Sequence, residues 1–361
     1  MLLYLDSTIR DIDFTSNDSL VHALENIAIG YGDGHHVVIG RRETILFLST
    51  LTQLDNRPKA LYKKIYSSLT ENFHFLDYVN VYLKITNGIL ISKSGKIIET
   101  PLSYFNSTRS IQPTNFLCEN TDDIRFFAKI SSCAIKKNGY KIQLQYNPQM
   151  GGGSAMSNVF ASLQNSNNIC FTIVDSDKYY HDHTIGSTAS TLLAVNKTDK
   201  PLADIYVLPV REIENLLPAQ LISEMISHNR EYCDLTTKLE PLLCMEQQQL
   251  YNVLKYIDVK KGLTYKNYQE NLSRHNIDLL PHCKAIDIAC KAVGACPTPG
   301  DCTCLLFDGL GDHILNSVIT FIDSLSCDNL RRNAHTNMHA IWDEIALQVI
   351  SWCCASKAIR T

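Results

Sequence analysis

Three acidic clusters hold the residues best suited to chemistry. They are Cys118-Glu119-Asn120-Thr121-Asp122-Asp123, Val174-Asp175-Ser176-Asp177 and Arg211-Glu212-Ile213-Glu214-Asn215. Each stands where a β-strand is expected to end. In an open parallel sheet, ligands bind outside the carboxyl ends of the strands, so acids at those ends converge on one crevice from distant positions. Carboxylates brought together repel, and protons, basic side chains or a cation must offset that repulsion. Hard oxygen ligands without matching His or Cys favour Mg²⁺ or Mn²⁺. Such ions hold phosphate oxygens and activate water for in-line attack on a phosphodiester.

The elements that must position these acids can be read from hydrophobic spacing. Asn115 to Cys118 reads as a short strand and Asp122 to Ile130 as a helix. Tyr140 to Tyr146 alternates as a strand. Gly151 to Gly153 makes a flexible corner before a helix from Ala155 to Leu163. Ile169 to Val174 is a continuous apolar run, as a buried parallel strand requires, and Ile205 to Leu208 is another. This β-α-β-α-β succession predicts a parallel sheet with right-handed crossovers.

The residues upstream read as a separate mixed α/β module. Leu20 to Ile29 has helical spacing, and His35 to Gly40 and Ile45 to Leu51 read as β-branched, apolar stretches. Val79 to Ile85 and Gly88 to Ile91 read as strands of a hairpin turning at Asn87-Gly88. Asn106 to Pro113 reads as a linker. Beyond residue 235 the spacing is mainly helical, and Met338 to Ile359 reads as one amphipathic helix. Three segments follow: 1–110, 111–235 and 236–361.

The middle segment resembles the TOPRIM domain. The matching residues are Glu119 and Asp123 after a strand, the Gly151-Gly152-Gly153 turn, and Asp175 with Asp177 after an apolar strand. That domain occurs in topoisomerases, primases, a ribosomal RNA maturase and the OLD-family nucleases. Glu212 to Leu217 is similar to the segment that follows in OLD-like bacterial defence nucleases. The resemblance covers Thr114 to Ser223, about a third of the chain. It implies a TOPRIM-like parallel sheet flanked by helices and a Mg²⁺- or Mn²⁺-dependent nuclease acting on DNA or RNA in anti-phage defence. Glu119, Asp175, Asp177 and Glu214 would be catalytic, with Asp123 and Glu212 as further metal ligands and Lys178 and Arg211 on the phosphate. The sequence departs from the pattern at Asn120, where Gly usually follows the first Glu. Gly30-Tyr-Gly-Asp-Gly34 lacks the Gly-Lys-Ser/Thr of a phosphate-binding loop, so an ATPase or sensor would be a separate partner.

Plainer readings stand beside these. Asp122 and Asp123 suit a helix N-terminus without any catalysis. His181, Asp182 and His183 read as a solvated loop ahead of metal ligands, and Lys136-Lys137 and Lys260-Lys261 as solvated surface or nucleic-acid contacts. Cys290, Cys296, Cys302 and Cys304, near His282 and Cys283, offer Zn²⁺ ligands but lack paired Cys-x2-Cys hooks. An alternative to the nuclease is a non-catalytic scaffold that binds partner proteins.

Composition bounds these expectations. Hydrophobic residues make up 45% and charged residues 19% of 361, a globular balance. Net charge is −4, whereas a protein that holds nucleic acid only by broad electrostatic attraction is usually basic, so a nucleic-acid contact here must be a local patch or be bridged by metal ions. Thirteen cysteines, an odd count, fit poorly with a closed disulfide framework. No stretch approaches ~20 uninterrupted apolar residues, so no membrane span is expected. A reducing cytoplasm is the expected location, and homo-oligomerisation stays open.

Overall fold

A computed structural model describes residues 1–268 and 305–359. The chain divides into two compact units. The first comprises residues 1–173, 191–206 and 343–361, and the second 174–190 and 207–342. This division cuts across the three segments expected from sequence. The stretch read as a linker carries a 3-10 helix, Thr108–Ile111, whose Ser110 and Ile111 are buried. His35 Nδ1 lies 3.0 Å from the Ile111 carbonyl, so this stretch packs into the first unit instead of separating modules.

The first unit holds two larger sheets and one two-stranded pair. One contains β1 (Leu2–Leu5), β2 (Val37–Gly40), β3 (Tyr82–Thr86), β4 (Ser92–Ser94) and β5 (Ile97–Pro101), in the order β2-β1-β3-β5-β4. All its pairings are parallel except β4 with β5. Its helices are α1 (Asp18–Gly32), α2 (Arg42–Thr50), α3 (Asn56–Asn72) and α4 (Phe75–Tyr78). Two expectations are corrected here. Ile45 to Leu51 lies mostly within α2, where Thr44, Ile45, Leu48 and Ser49 are buried and Leu46 is exposed. That is helical spacing, which an apolar run of this length does not distinguish from a strand. Asn87-Gly88 does not join a hairpin: β3 pairs in parallel with β5, and the hairpin forms between β4 and β5, where Ser94 faces Ile97.

The other sheet contains β6 (Thr114–Cys118), β8 (Tyr146–Met150), β9 (Cys170–Val174) and β10 (Ala203–Val207), while β7 (Gln143–Leu144) pairs elsewhere. The order is β10-β9-β6-β8, with β6 parallel to both β8 and β9. Helices α5 (Thr121–Lys137), α6 (Met156–Asn165) and α7 (Ser187–Val195) occupy the crossovers. The expected α/β fold with a parallel sheet flanked by helices is therefore present. All five residues of β9 are buried, as expected of a strand covered on both faces. Phe116 stacks on Phe171 at 6.0 Å between ring centroids, and Phe171 on Trp352 at 5.8 Å. This aromatic column fixes β6 and β9 side by side.

In the second unit the described elements are mostly helical. They are α8 (Ala219–His228), α9 (Leu235–Gln247), α10 (Tyr251–Leu254), α11 (Tyr265–Asn267), α12 (Ile314–Ser324), α13 (Cys327–Arg332) and the start of α14 (Thr336–Cys353). β11 (Gly262–Thr264) and β12 (Leu305–Asp308) form an antiparallel pair. The final helix stops at Cys353, short of the expected Ile359, because β13 (Cys354–Ala355) pairs with β7. No helix among the described residues is long and apolar enough to cross a membrane. Cys133 and Cys327 each take part in a disulfide. Cys170 is a buried thiol, and burial pushes its pKa up to about 12. Cys290, Cys296, Cys302 and Cys304, with His282 and Cys283, lie outside the described residues.

Candidate functional site

The candidate acids stand in both units. Glu119 and Asp123 belong to the first, and Asp175, Asp177, Glu212 and Glu214 to the second. In sequence terms, Glu119 is the first residue past β6 and Asp175 the first past β9, and these two strands are parallel neighbours. The order of the sheet reverses at this pair, since β8 lies on one side and β9 and β10 on the other. A reversal of strand order is where open α/β sheets bind ligands.

In the first unit, the glycine corner and Glu119 come together. The Gly151 N–H donates to the Cys118 carbonyl at 2.8 Å, and the Gly152 N–H to the Glu119 carbonyl at 3.1 Å. Gly152 and Gly153 have φ of 57° and 58°, a left-handed conformation that favours glycine. A Cβ on Gly153 would sit 3.7 Å from Glu119 Oε1, so the corner lies directly beside this exposed carboxylate. Asn120 caps α5. Its Oδ1 accepts from the N–H groups of Asp122 and Asp123 at 2.9 and 3.1 Å, and Asp123 Oδ2 accepts from the Asn120 N–H at 3.2 Å. This capping box explains why a polar residue follows Glu119 in place of glycine. It also gives buried Asp123 the helix-start role that the sequence offered beside metal ligation.

In the second unit, hydrogen bonds to the backbone of residues 210–213 latch the loop after β9. Asp175 Oδ1 accepts from the Ile213 N–H at 3.1 Å, and Ser176 Oγ donates to the Val210 carbonyl at 2.6 Å. The Asp177 N–H donates to the Arg211 carbonyl at 2.9 Å, with Asp177 at a φ of 54°. A Cβ on Gly186 would lie 2.1 Å from Asp177 Oδ2, so only glycine lets the carboxylate seat there. Asn215 fixes the next turn: its Oδ1 accepts from the Glu212 N–H at 2.9 Å, and its Nδ2 donates to the Leu254 and Ile257 carbonyls, both at 2.7 Å.

Glu212 and Glu214 are buried, and both face a lysine. Lys260 Nζ lies 2.9 Å from Glu212 Oε2 and 3.5 Å from Glu214 Oε2. Burial works against the charge on Lys260, but Glu214, Glu212 and Asp175 together outweigh it and raise its pKa. Burial also raises the pKa of Glu214, against the pull of Lys260. Sequence reading placed Lys260 on a solvated face or on nucleic acid, and both readings are corrected. The structure holds its backbone with an N–H from Gly311 at 3.0 Å, beside the β11–β12 pair. The Lys-Lys dipeptide gave no sign of this, because its acidic partners lie more than forty residues upstream.

Arg211 is also misassigned by sequence. It is 6% exposed, and its guanidinium bonds Glu212 at 3.2 Å and Asp258 at 3.3 Å while lying 4.2 Å above the Tyr179 ring. A side chain held on three sides this way positions Glu212 and is not open to phosphate. Lys178 donates to the His181 carbonyl at 3.1 Å, and the exposed His181–Asp182 pair forms the expected solvated loop.

Among the described residues, no group of three or more His, Cys, Asp or Glu side chains is arranged to hold a metal ion. Glu212 and Glu214 do not fit an open metal shell, because the Lys260 ammonium stands where a cation would. Glu119, Asp175 and Asp177 retain the oxygen chemistry that Mg²⁺ or Mn²⁺ takes. Comparisons with family models, with curated proteins and with solved structures found no match.

Proposed function

We propose that this chain is a Mg²⁺- or Mn²⁺-dependent nuclease that hydrolyses phosphodiester bonds in DNA or RNA, built on a TOPRIM-like sheet. One observation carries the reading: Glu119 and Asp175 each begin the loop at the carboxyl end of neighbouring parallel strands, where the strand order reverses. Asp175 and Asp177 of the second unit are the residues proposed to hold the ion, and Glu119 of the first is proposed as a general acid or base. When bound, the ion would neutralise phosphate charge and acidify a water. Glu212, paired with Lys260 and Arg211, and Glu214, paired with Lys260, are not proposed as metal ligands. The biological role is effector action in cytoplasmic anti-phage defence, restrained by a partner ATPase or sensor. This role rests on the TOPRIM resemblance alone.

Cleavage of plasmid DNA and of total tRNA, with Mg²⁺ or Mn²⁺, tests the reading. Wild type should cut at least one substrate, and Glu119→Ala and Asp175→Ala should each lower the rate at least a hundredfold. Equal rates in all three proteins would remove the assignment.

The ion pairs of Lys260 and Arg211 favour a second reading. Carboxylates already neutralised by basic side chains need no metal, as in a non-catalytic scaffold that binds partner proteins. Metal binding separates the two readings.

A further inference from the structure

The first unit carries an open groove of about 770 Å³, away from the acid-bearing loops in sequence. Lys64 of α3, Lys136 of α5, Lys141 and Lys357 line it, with Glu71 as the single acid and Tyr140 as an aromatic wall. All four lysines are exposed. The groove therefore carries a local charge of +3 in a chain whose net charge is −4. Lys136 alone could be explained by the helix dipole, since it stands in the last turn of α5. That does not account for Lys64, Lys141 and Lys357, which arrive from three other stretches.

Tyr140 is braced. Its ring stacks on exposed His74 at 5.4 Å and packs against Phe75 at 5.1 Å and Tyr78 at 4.7 Å. Glu71 pairs with Lys141 at 2.9 Å, but both side chains are more than half exposed, so an incoming anion displaces this pair readily.

We infer that this groove binds a single-stranded nucleic acid, with the lysines on successive phosphates and Tyr140 against a base. A basic track flanked by aromatic faces is how proteins hold unpaired strands. The identity of the polyanion rests on the nuclease reading; the groove's charge and shape do not.

The test is fluorescence anisotropy of a labelled oligothymidylate and a labelled oligouridylate, titrated in EDTA over a range of salt, beside a duplex of equal length. Wild type should bind the single strands more tightly than the duplex. Each phosphate contact on a single strand contributes about −0.7 to the slope of log affinity against log salt. The exposed-site variant Lys64→Gln/Lys136→Gln/Lys357→Gln should therefore flatten the slope by about 2. Tyr140→Ala should weaken binding about tenfold. No binding by wild type, or an unchanged slope in the lysine variant, would overturn the inference. Because EDTA removes divalent ions, a protein that binds but never cuts would sink the nuclease and keep the groove. One that cuts, while its lysine variant binds as wild type does, would sink the groove alone.

Discussion

Lys260 is the residue on which the buried charge of the second unit turns. It faces Glu212 and Glu214 together, and removing one partner of a buried ion pair leaves an uncompensated charge. Lys260→Met should cost about 3–5 kcal/mol in urea denaturation at neutral pH. Lys261→Met, one residue along and exposed, should stay within about 0.5 kcal/mol. Matching losses in the two variants would show that the pairing contributes nothing. Glu214 gives a pH signature. Its pKa is raised in the folded state, so between its ordinary value of 4.5 and the higher folded value the folded chain binds more protons than the unfolded one. Stability contributed by Glu214 is therefore present below that window and falls as pH rises through it. Glu214→Gln should remove this decline from a denaturation series spanning pH 4 to 7. An identical pH profile in wild type and variant would contradict the assignment.

At the scale of elements, the sheet and its loops were largely legible in sequence, and the buried ion pairs were not. The apolar run ending at Val174 reads as a buried parallel strand because no position in it needs water, and the structure agrees. Glu119 and the Gly151–Gly153 corner are recognisable because their contact is made through the backbone, which composition records. Ile45 to Leu51 was misjudged because a short apolar run fits either period. Lys260 and Asp258 were missed because a charge pair between distant stretches leaves no local pattern. The loop after β9 offers a direct check on its geometry. Gly186→Ala would drive a methyl into Asp177, and overpacking of this kind costs about 1–3 kcal/mol. Hydrogen exchange should show faster opening of residues 175–186 in the variant, with β6 and β8 unchanged. Uniform exchange across both regions would mean that Gly186 does not set this loop.

At the scale of the whole molecule, the chain returns to its first unit twice, at residues 191–206 and at 343–361, and in the second return Trp352 ends the Phe116–Phe171 column. Trp352 is 1% exposed, and truncating a buried tryptophan costs about 3–5 kcal/mol. Trp352→Phe should therefore be tolerated far better than Trp352→Ala when thermal unfolding is followed. Hydrophobic spacing gave no sign of these returns because a returning segment has no signature of its own. Whether the assembled protein is an enzyme or a scaffold depends on the divalent ion. Calorimetric titration of Mn²⁺ into wild type and into Asp175→Asn decides it most directly. The nuclease account predicts saturable binding by wild type that is weakened at least tenfold in the variant; no binding by wild type, or equal binding by both proteins, would contradict it.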